Sequence, residues 1–304
     1  MKKFLSVMLM LVLLFAFSSV ALAGEMNYVY KPSCLVAAHR GLSISAPENT
    51  LASFELAAKN GSDAIEFDIW PTTDGRWVVM HDEDVERMTD KTGKITEMTY
   101  AGTQECTIDS GNGIDEYPGQ KIPTLEQALE ICEKYSVTPF IEIKGGTDAE
   151  VDELLEFIKT YKNHSRFVFI SFIENYLCRV EAMLPENETY WVISSPKEKN
   201  IAFCLENGID GIDFNYQKTS SDMVQKIVAS GLTAGAWTVD SLEDFNQLCS
   251  MNVDIITTNS ILPVRKTCTH ICHSSNSFMK AVWKFIRFFL TLFGDSYCTC
   301  GVRH

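Results

Sequence analysis

Apolar and polar positions along this chain follow two rhythms that take turns. Strand-like apolar runs fall at 35–40, 64–70, 77–81, 138–143, 167–172, 190–194, 210–214, 233–238 and 254–258. Stretches with helical periodicity separate most of them, at 48–59, 124–135, 149–162, 174–184, 197–207, 220–229 and 241–251. Helix-start signals agree: Pro123-Thr124 precedes Leu125-Glu126-Gln127, Asp148 precedes Ala149, and Asp240-Ser241 precedes Leu242-Glu243. Between the second and third runs, Thr73-Asp74-Gly75-Arg76 is an Asp-Gly hairpin signal. The run at 77–81 is then the return arm of a hairpin, and eight strands remain. Strand–helix alternation repeated eight times predicts a parallel (β/α)8 TIM barrel, which collects its chemistry at the C-terminal ends of the strands.

Three segments stand outside that repeat. Residues 83–122 form an insertion after the second-strand hairpin, with a Gly/Asp-rich stretch at Asp109-Ser110-Gly111-Asn112-Gly113; a long loop over the active face is expected to shape the substrate site. Residues 1–23 read as a signal peptide: Lys2-Lys3, an apolar run from Phe4 to Phe17, then Ala21-Leu22-Ala23 before Gly24. The barrel is expected over 30–264, exported to the cell surface, periplasm or medium. Residues 265–304 are a C-terminal tail with a basic amphipathic segment, Phe278 to Phe293, in which Lys280, Lys284, Arg287 and Thr291 recur on one side. That pattern suits a membrane or cell-surface contact, and three cations within it make a poor transmembrane span. Cys268, Cys272, His273, Cys298, Cys300 and His304 flank the segment and are candidates for a structural Zn²⁺ or for disulfides.

Charge narrows the partners. The chain of 304 residues carries a formal net charge of −14. Losing Lys2 and Lys3 with the signal makes it −16, and the tail holds six Lys or Arg against Asp295, which leaves the body at about −21. So acidic a body excludes nucleic acid as the expected partner. Six cysteines lie in the body: Cys34, Cys106, Cys132, Cys178, Cys204 and Cys249. They are widely spaced in a chain large enough to do without staples, and are expected to be buried free thiols.

The strand ends carry the candidate chemistry. His39-Arg40 ends the first run, Glu66-Phe67-Asp68 lies in the second, and His81-Asp82 closes the return arm. Residues two apart on a strand face one way, so Glu66 and Asp68 project together. Two acids on a buried face repel and are costly to bury, and a hard cation such as Ca²⁺ or Mg²⁺ between them relieves both problems. A two-residue turn at Asp74-Gly75 would pair Thr73 with Arg76 and set Asp68 opposite His81. Glu142 and Lys144 repeat the same spacing on a later strand.

This set, HR…ExD…HD, resembles the signature of the glycerophosphodiester phosphodiesterase family. Ala46-Pro47-Glu48-Asn49-Thr50, Glu142-x-Lys144, Ser171-Phe172 and Trp237-Thr238-Val239-Asp240 extend the resemblance over Leu35 to Val264. It departs at Thr257-Thr258-Asn259-Ser260, where the family commonly reads T-D-x-P, so no role is assigned to Asn259. The resemblance implies a TIM barrel, a glycerophosphodiester substrate, and Glu66, Asp68 and Glu142 as ligands of one divalent ion. Arg40 and Lys144 would neutralise charge on the phosphate oxygens. His39 and His81 would be the acid/base pair, in either order. Trp237 would pack against the glycerol or head group, or serve as barrel packing. A phospholipase D-like or phosphatidylinositol-type hydrolase is the alternative, disfavoured by the polar character of 83–122. A non-catalytic surface-binding barrel is the other.

Overall fold

The structure, a computed structural model, describes residues 34–260. The segments read as signal peptide and C-terminal tail, with the tail's Cys and His residues, lie outside the described residues.

Among the described residues there are nine strands: β1 (Leu35–His39), β2 (Ala64–Pro71), β3 (Trp77–Val79), β4 (Thr138–Ile143), β5 (Val168–Ser171), β6 (Glu188–Ile193), β7 (Gly211–Asn215), β8 (Thr233–Trp237) and β9 (Ile255–Thr258). Eight of them run parallel in the order β1-β9-β8-β7-β6-β5-β4-β2, and β1 pairs with β2 to close the ring. The antiparallel β3 is appended to β2. Outside lie α1 (Leu51–Lys59), α3 (Leu125–Tyr135), α4 (Asp148–Ile158), α5 (Glu174–Met183), α6 (Glu198–Asn207), α7 (Ser221–Ala229) and α8 (Leu242–Ser250), with a short α2 (Tyr100–Glu105) in the insertion. The predicted (β/α)8 barrel is therefore the fold. No helix among the described residues is long and apolar enough to cross a membrane.

Period-two alternation sorts each strand between two cores. On β2, Ile65, Phe67 and Ile69 pack outward with α1, α3 and α4, which leaves Ala64, Glu66 and Asp68 to the interior. On β4, Ile141 and Ile143 face outward and Phe140 inward, so Glu142 and Lys144 share the inner face. The interior is plugged by Ala37, Phe140, Val168, Ile170, Tyr190, Val192 and Ile255. The acids thus stand on an apolar floor.

The structure corrects three expectations. The hairpin pairs Ile69 with Val79 and Pro71 with Trp77, which sets Thr72 against Arg76 around a three-residue turn. Gly75 takes φ +77, which a side chain would resist, and the Thr72 hydroxyl bonds both Asp74 and the Arg76 carbonyl. Asp68 consequently lies opposite Met80, one residue short of His81. Residues 83–122 are more than a loop. They carry a 3₁₀ turn (Ile95–Glu97), α2, and a core in which Val85, Met88, Ile95, Cys106, Ile108 and Ile122 pack on Val78 and Met80. Finally, α4 is capped by Thr147, whose side chain accepts from the Glu150 N–H, so Asp148 is already in the first turn.

The body cysteines are not all free. Cys34, just before β1, is bonded to Cys249 in α8 across a Cα–Cα distance of 5.9 Å. The bridge ties the start of β1 to α8 at the seam where the barrel closes, 215 residues apart in sequence. Cys106, Cys132, Cys178 and Cys204 are free, as expected. Loop-closure entropy for so long a loop is on the order of 5 kcal/mol. Cys249→Ser is expected to lower the melting temperature by roughly 10 °C. An unchanged melting curve for the variant, or for the reduced protein, would show that the bridge does not constrain the chain.

Candidate active site

Glu66, Asp68 and Glu142 converge at the C-terminal end of the barrel. Register does this directly, since β2 pairs with β4 so that Asp68 and Glu142 are neighbours. One carboxylate oxygen from each of the three lies within 4.8 Å of the others, and all three residues are buried. Lys144 Nζ stands 3.0 Å from Glu142 Oε1 and 3.3 Å from Asp68 Oδ1. Arg40 Nε lies 3.7 Å from Asp68 Oδ2, and the Arg40 backbone N–H donates to Glu66 Oε2 at 2.9 Å. That N–H is aimed by a left-handed backbone at Arg40, φ +56, a conformation that non-glycine residues adopt at a cost.

Two cations do not satisfy three buried acids. Burial, reinforced by Asp68 and Glu142, pushes Glu66 well above the ordinary carboxylate range. Burial and Asp68 push Glu142 up to about 7. Burial also acts on Asp68, but Lys144, His81 and Arg40 outweigh it and hold that carboxyl low. Asp68 Oδ1, although near Lys144, has no hydrogen-bond partner. Hard, crowded, incompletely paired oxygens fit a divalent cation.

Both site histidines are held through Nδ1. His39 Nδ1 is 2.7 Å from Asn259 Oδ1. The amide's orientation is set by Asp240, whose Oδ2 accepts from Asn259 Nδ2 at 2.7 Å and whose Oδ1 accepts from the Asn259 backbone N–H at 2.8 Å. A carboxylate only accepts, so Oδ1 of the amide must face the imidazole, and His39 donates from Nδ1. Burial and the nearby Arg40 lower the His39 pKa to about 4, so the ring is neutral near pH 7. His81 Nδ1 instead lies 2.7 Å from a carboxylate, Asp82 Oδ1. Burial, with Arg40 and Lys144, lowers His81 as well, against a partial counter-pull from Asp68 and Asp82.

All eight candidate residues therefore sit at one end of the barrel. Trp237 is partly buried, donates from Nε1 to the Asp213 carbonyl at 3.2 Å, and meets Phe172 edge-on at 6.0 Å. It packs on the barrel floor while keeping one flank at the mouth beside Phe172, which is 46% exposed. Four further residues contribute, none of which was given a role from the sequence. Asn49, φ +55, donates to Asp68 Oδ2 at 2.8 Å. Glu48 Oε1 accepts from Arg40 at 2.8 Å. Asn259, to which no role was assigned, holds His39. Asp213 on β7 is buried with Oδ1 unpaired, and burial with the Glu142 charge pushes it up to about 8. A residue spacing could have flagged only Glu48 and Asn49, which belong to the same short segment as the first turn of the site.

Comparison with known proteins agrees with this fold. Residues 39–262 match the model of the glycerophosphoryl diester phosphodiesterase family. Glycerophosphodiester phosphodiesterase 1 of Bos taurus is 31% identical over 272 residues, covering 77% of this chain and 81% of the bovine protein. A glycerophosphodiester phosphodiesterase of Caldanaerobacter subterraneus is 31% identical over 229 residues, covering 74% of this chain and 93% of its own. Among solved structures, an Oleispira antarctica phosphodiesterase in complex with its product sn-glycerol-3-phosphate superposes with a TM-score of 0.68 at 26% identity, covering 75% of this chain and 93% of that one.

The relay through Asn259 has a measurable consequence. Asn259→Leu removes the acceptor for His39 Nδ1 and is expected to lower kcat on a phosphodiester by about 10–100-fold, with Asn259→Asp retaining much of it. Equal turnover in the Leu variant would show that the amide does not orient the ring.

Proposed function

This chain belongs to the glycerophosphoryl diester phosphodiesterase family and is a phosphoric diester hydrolase; from that premise we propose that it is a metal-dependent, exported enzyme that cleaves water-soluble glycerophosphodiesters to sn-glycerol 3-phosphate and an alcohol. The observation that carries the metal dependence is the buried trio Glu66, Asp68 and Glu142, too crowded to be stable on two cations alone. These three would hold one Ca²⁺ or Mg²⁺, which when bound supplies Lewis-acid stabilisation of the phosphate oxygens.

The chain's own groups do the rest. Arg40 and Lys144 bind and orient the phosphate and stabilise the charge that develops on it. His39, neutral and donating from Nδ1, offers Nε2 as the base that takes the proton of the attacking hydroxyl or water. His81, backed by the Asp82 carboxylate, gives its proton to the leaving alkoxide. Trp237 and Phe172 form the apolar wall against which the glycerol or head group lies. The product sn-glycerol-3-phosphate bound to the similar Oleispira antarctica phosphodiesterase supports the same product here. Export is supported by the signal-like residues 1–23 and by the Cys34–Cys249 bridge, which suits an oxidising compartment. Contact of the basic tail with a membrane or cell surface is proposed on its sequence pattern alone.

Exposed Ile44, Phe172 and Ile173 lie just beyond β1 and β5, at the catalytic end. They favour, as a second reading, a phospholipase D-like activity on diesters that carry an acyl chain.

Glycerophosphocholine and a lysophospholipid, each incubated with the purified protein, separate the two readings. Release of sn-glycerol 3-phosphate from the first, abolished by EDTA and restored by Ca²⁺ or Mg²⁺, is the expected result. Turnover undiminished after exhaustive chelation would sink the metal assignment, and a clear preference for the lysophospholipid would overturn the substrate.

A further inference from the structure

Arg87 lies in the insertion, away from the barrel strands, yet it is wired to both halves of the site. Its guanidinium forks. Nε is 2.5 Å from Asp82 Oδ2, and Nη2 is 2.7 Å from Glu48 Oε1. Each of those carboxylates holds a second group: Asp82 Oδ1 pairs with His81 Nδ1, and Glu48 Oε1 accepts from Arg40 Nη1. The result is a chain of alternating charge, Arg40–Glu48–Arg87–Asp82–His81, which begins at a phosphate-binding guanidinium and ends at an acid/base imidazole.

Its placement shows what this chain is for. β3 stops at Val79, so His81 and Asp82 are in irregular backbone, where no strand ladder fixes their side chains. Arg87 is anchored by the insertion's own core. Val85 and Met88 beside it are buried, the Val85 N–H donates to the Gly93 carbonyl at 3.0 Å, and the Thr89 hydroxyl donates to the Val85 carbonyl at 2.9 Å. The Arg87 side chain is itself 45% exposed and Asp82 35%. Ion pairs so open to solvent contribute little to folding. Their effect is therefore expected in the geometry of the site, where a displacement near 1 Å can cost about a hundredfold in rate.

We propose that Arg87 is a positioning residue, which fixes Arg40 and His81 relative to one another through Glu48 and Asp82, so that the insertion completes the site when it packs on the barrel. The proposal rests on the reading that Arg40 and His81 act on one phosphodiester. Lys is no substitute, because a single ammonium cannot span two carboxylates as the guanidinium fork does.

The test compares wild type, Arg87→Ala, Arg87→Lys and Asp82→Asn with Arg87→Ala/Asp82→Asn, on glycerophosphocholine. Arg87→Ala is expected to lose about 10–100-fold in kcat, while its melting temperature and its Ca²⁺ affinity by calorimetry stay at wild-type values. Millimolar guanidinium should restore part of the rate where ammonium does not. Arg87→Lys should remain impaired, and it carries the same comparison should the Ala variant fail to fold. The double variant should be no slower than the slower single one, as members of one relay are not additive. Wild-type kcat in Arg87→Ala, additive losses, or a loss that tracks a fall in melting temperature or Ca²⁺ affinity would overturn the proposal. An inactive wild type would instead sink the reading of substrate on which it rests.

Discussion

Three carboxylates crowded at the mouth of an apolar barrel are the constraint around which the rest of this molecule is arranged. At about 4 Å and an effective dielectric near 20, each like-charged pair costs roughly 4 kcal/mol, comparable with a large share of a domain's net stability. The surroundings answer that cost atom by atom. Arg40 bends into a left-handed conformation to aim its N–H at Glu66, Lys144 spans Glu142 and Asp68, and Asn49 takes a positive φ to reach Asp68. The answer is incomplete: Glu66 and Glu142 are still pushed toward their protonated forms, and an oxygen of Asp68 is left without a hydrogen bond. On the proposed reading, a divalent cation closes that deficit. Strain and unpaired charge of this kind are tolerated where function requires them.

The two histidines show how one residue type is held in two different ways by its backing. An amide locked by Asp240 fixes the proton of His39 on Nδ1, while burial and Arg40 keep the ring neutral. A carboxylate behind His81 holds the ring through Nδ1 and partly offsets the lowering that burial causes. The backing of His39 comes from residues remote in sequence, that of His81 from its neighbour Asp82, itself held by Arg87 of the insertion. The chemistry is on the barrel strands, but its precision comes from loops that pack across their ends.

What could be read from the chain follows from the range of each interaction. All nine strands and the seven barrel helices were legible because alternation and helical periodicity are local and the core reads them directly. The Glu66/Asp68 pair was legible for the same reason. The hairpin register was missed by one residue because Asp-Gly suits more than one turn, and the choice depends on Gly75 and on the Thr72 hydroxyl rather than on the strands. The core of the insertion was missed because its apolar residues follow no period. Asn259 reaches His39 across 220 positions, and Cys34 reaches Cys249 across 215. Such partners are chosen by barrel closure, which no local pattern encodes.

The central claim is that Glu66, Asp68 and Glu142 form a cation site, and direct titration of the purified chain with Ca²⁺ and with Mg²⁺ by calorimetry tests it without any substrate. The expected result is saturable binding of one ion per chain, weakened by roughly tenfold or more in Glu66→Gln. No saturable binding of either ion, or equal binding by the variant, would contradict the account.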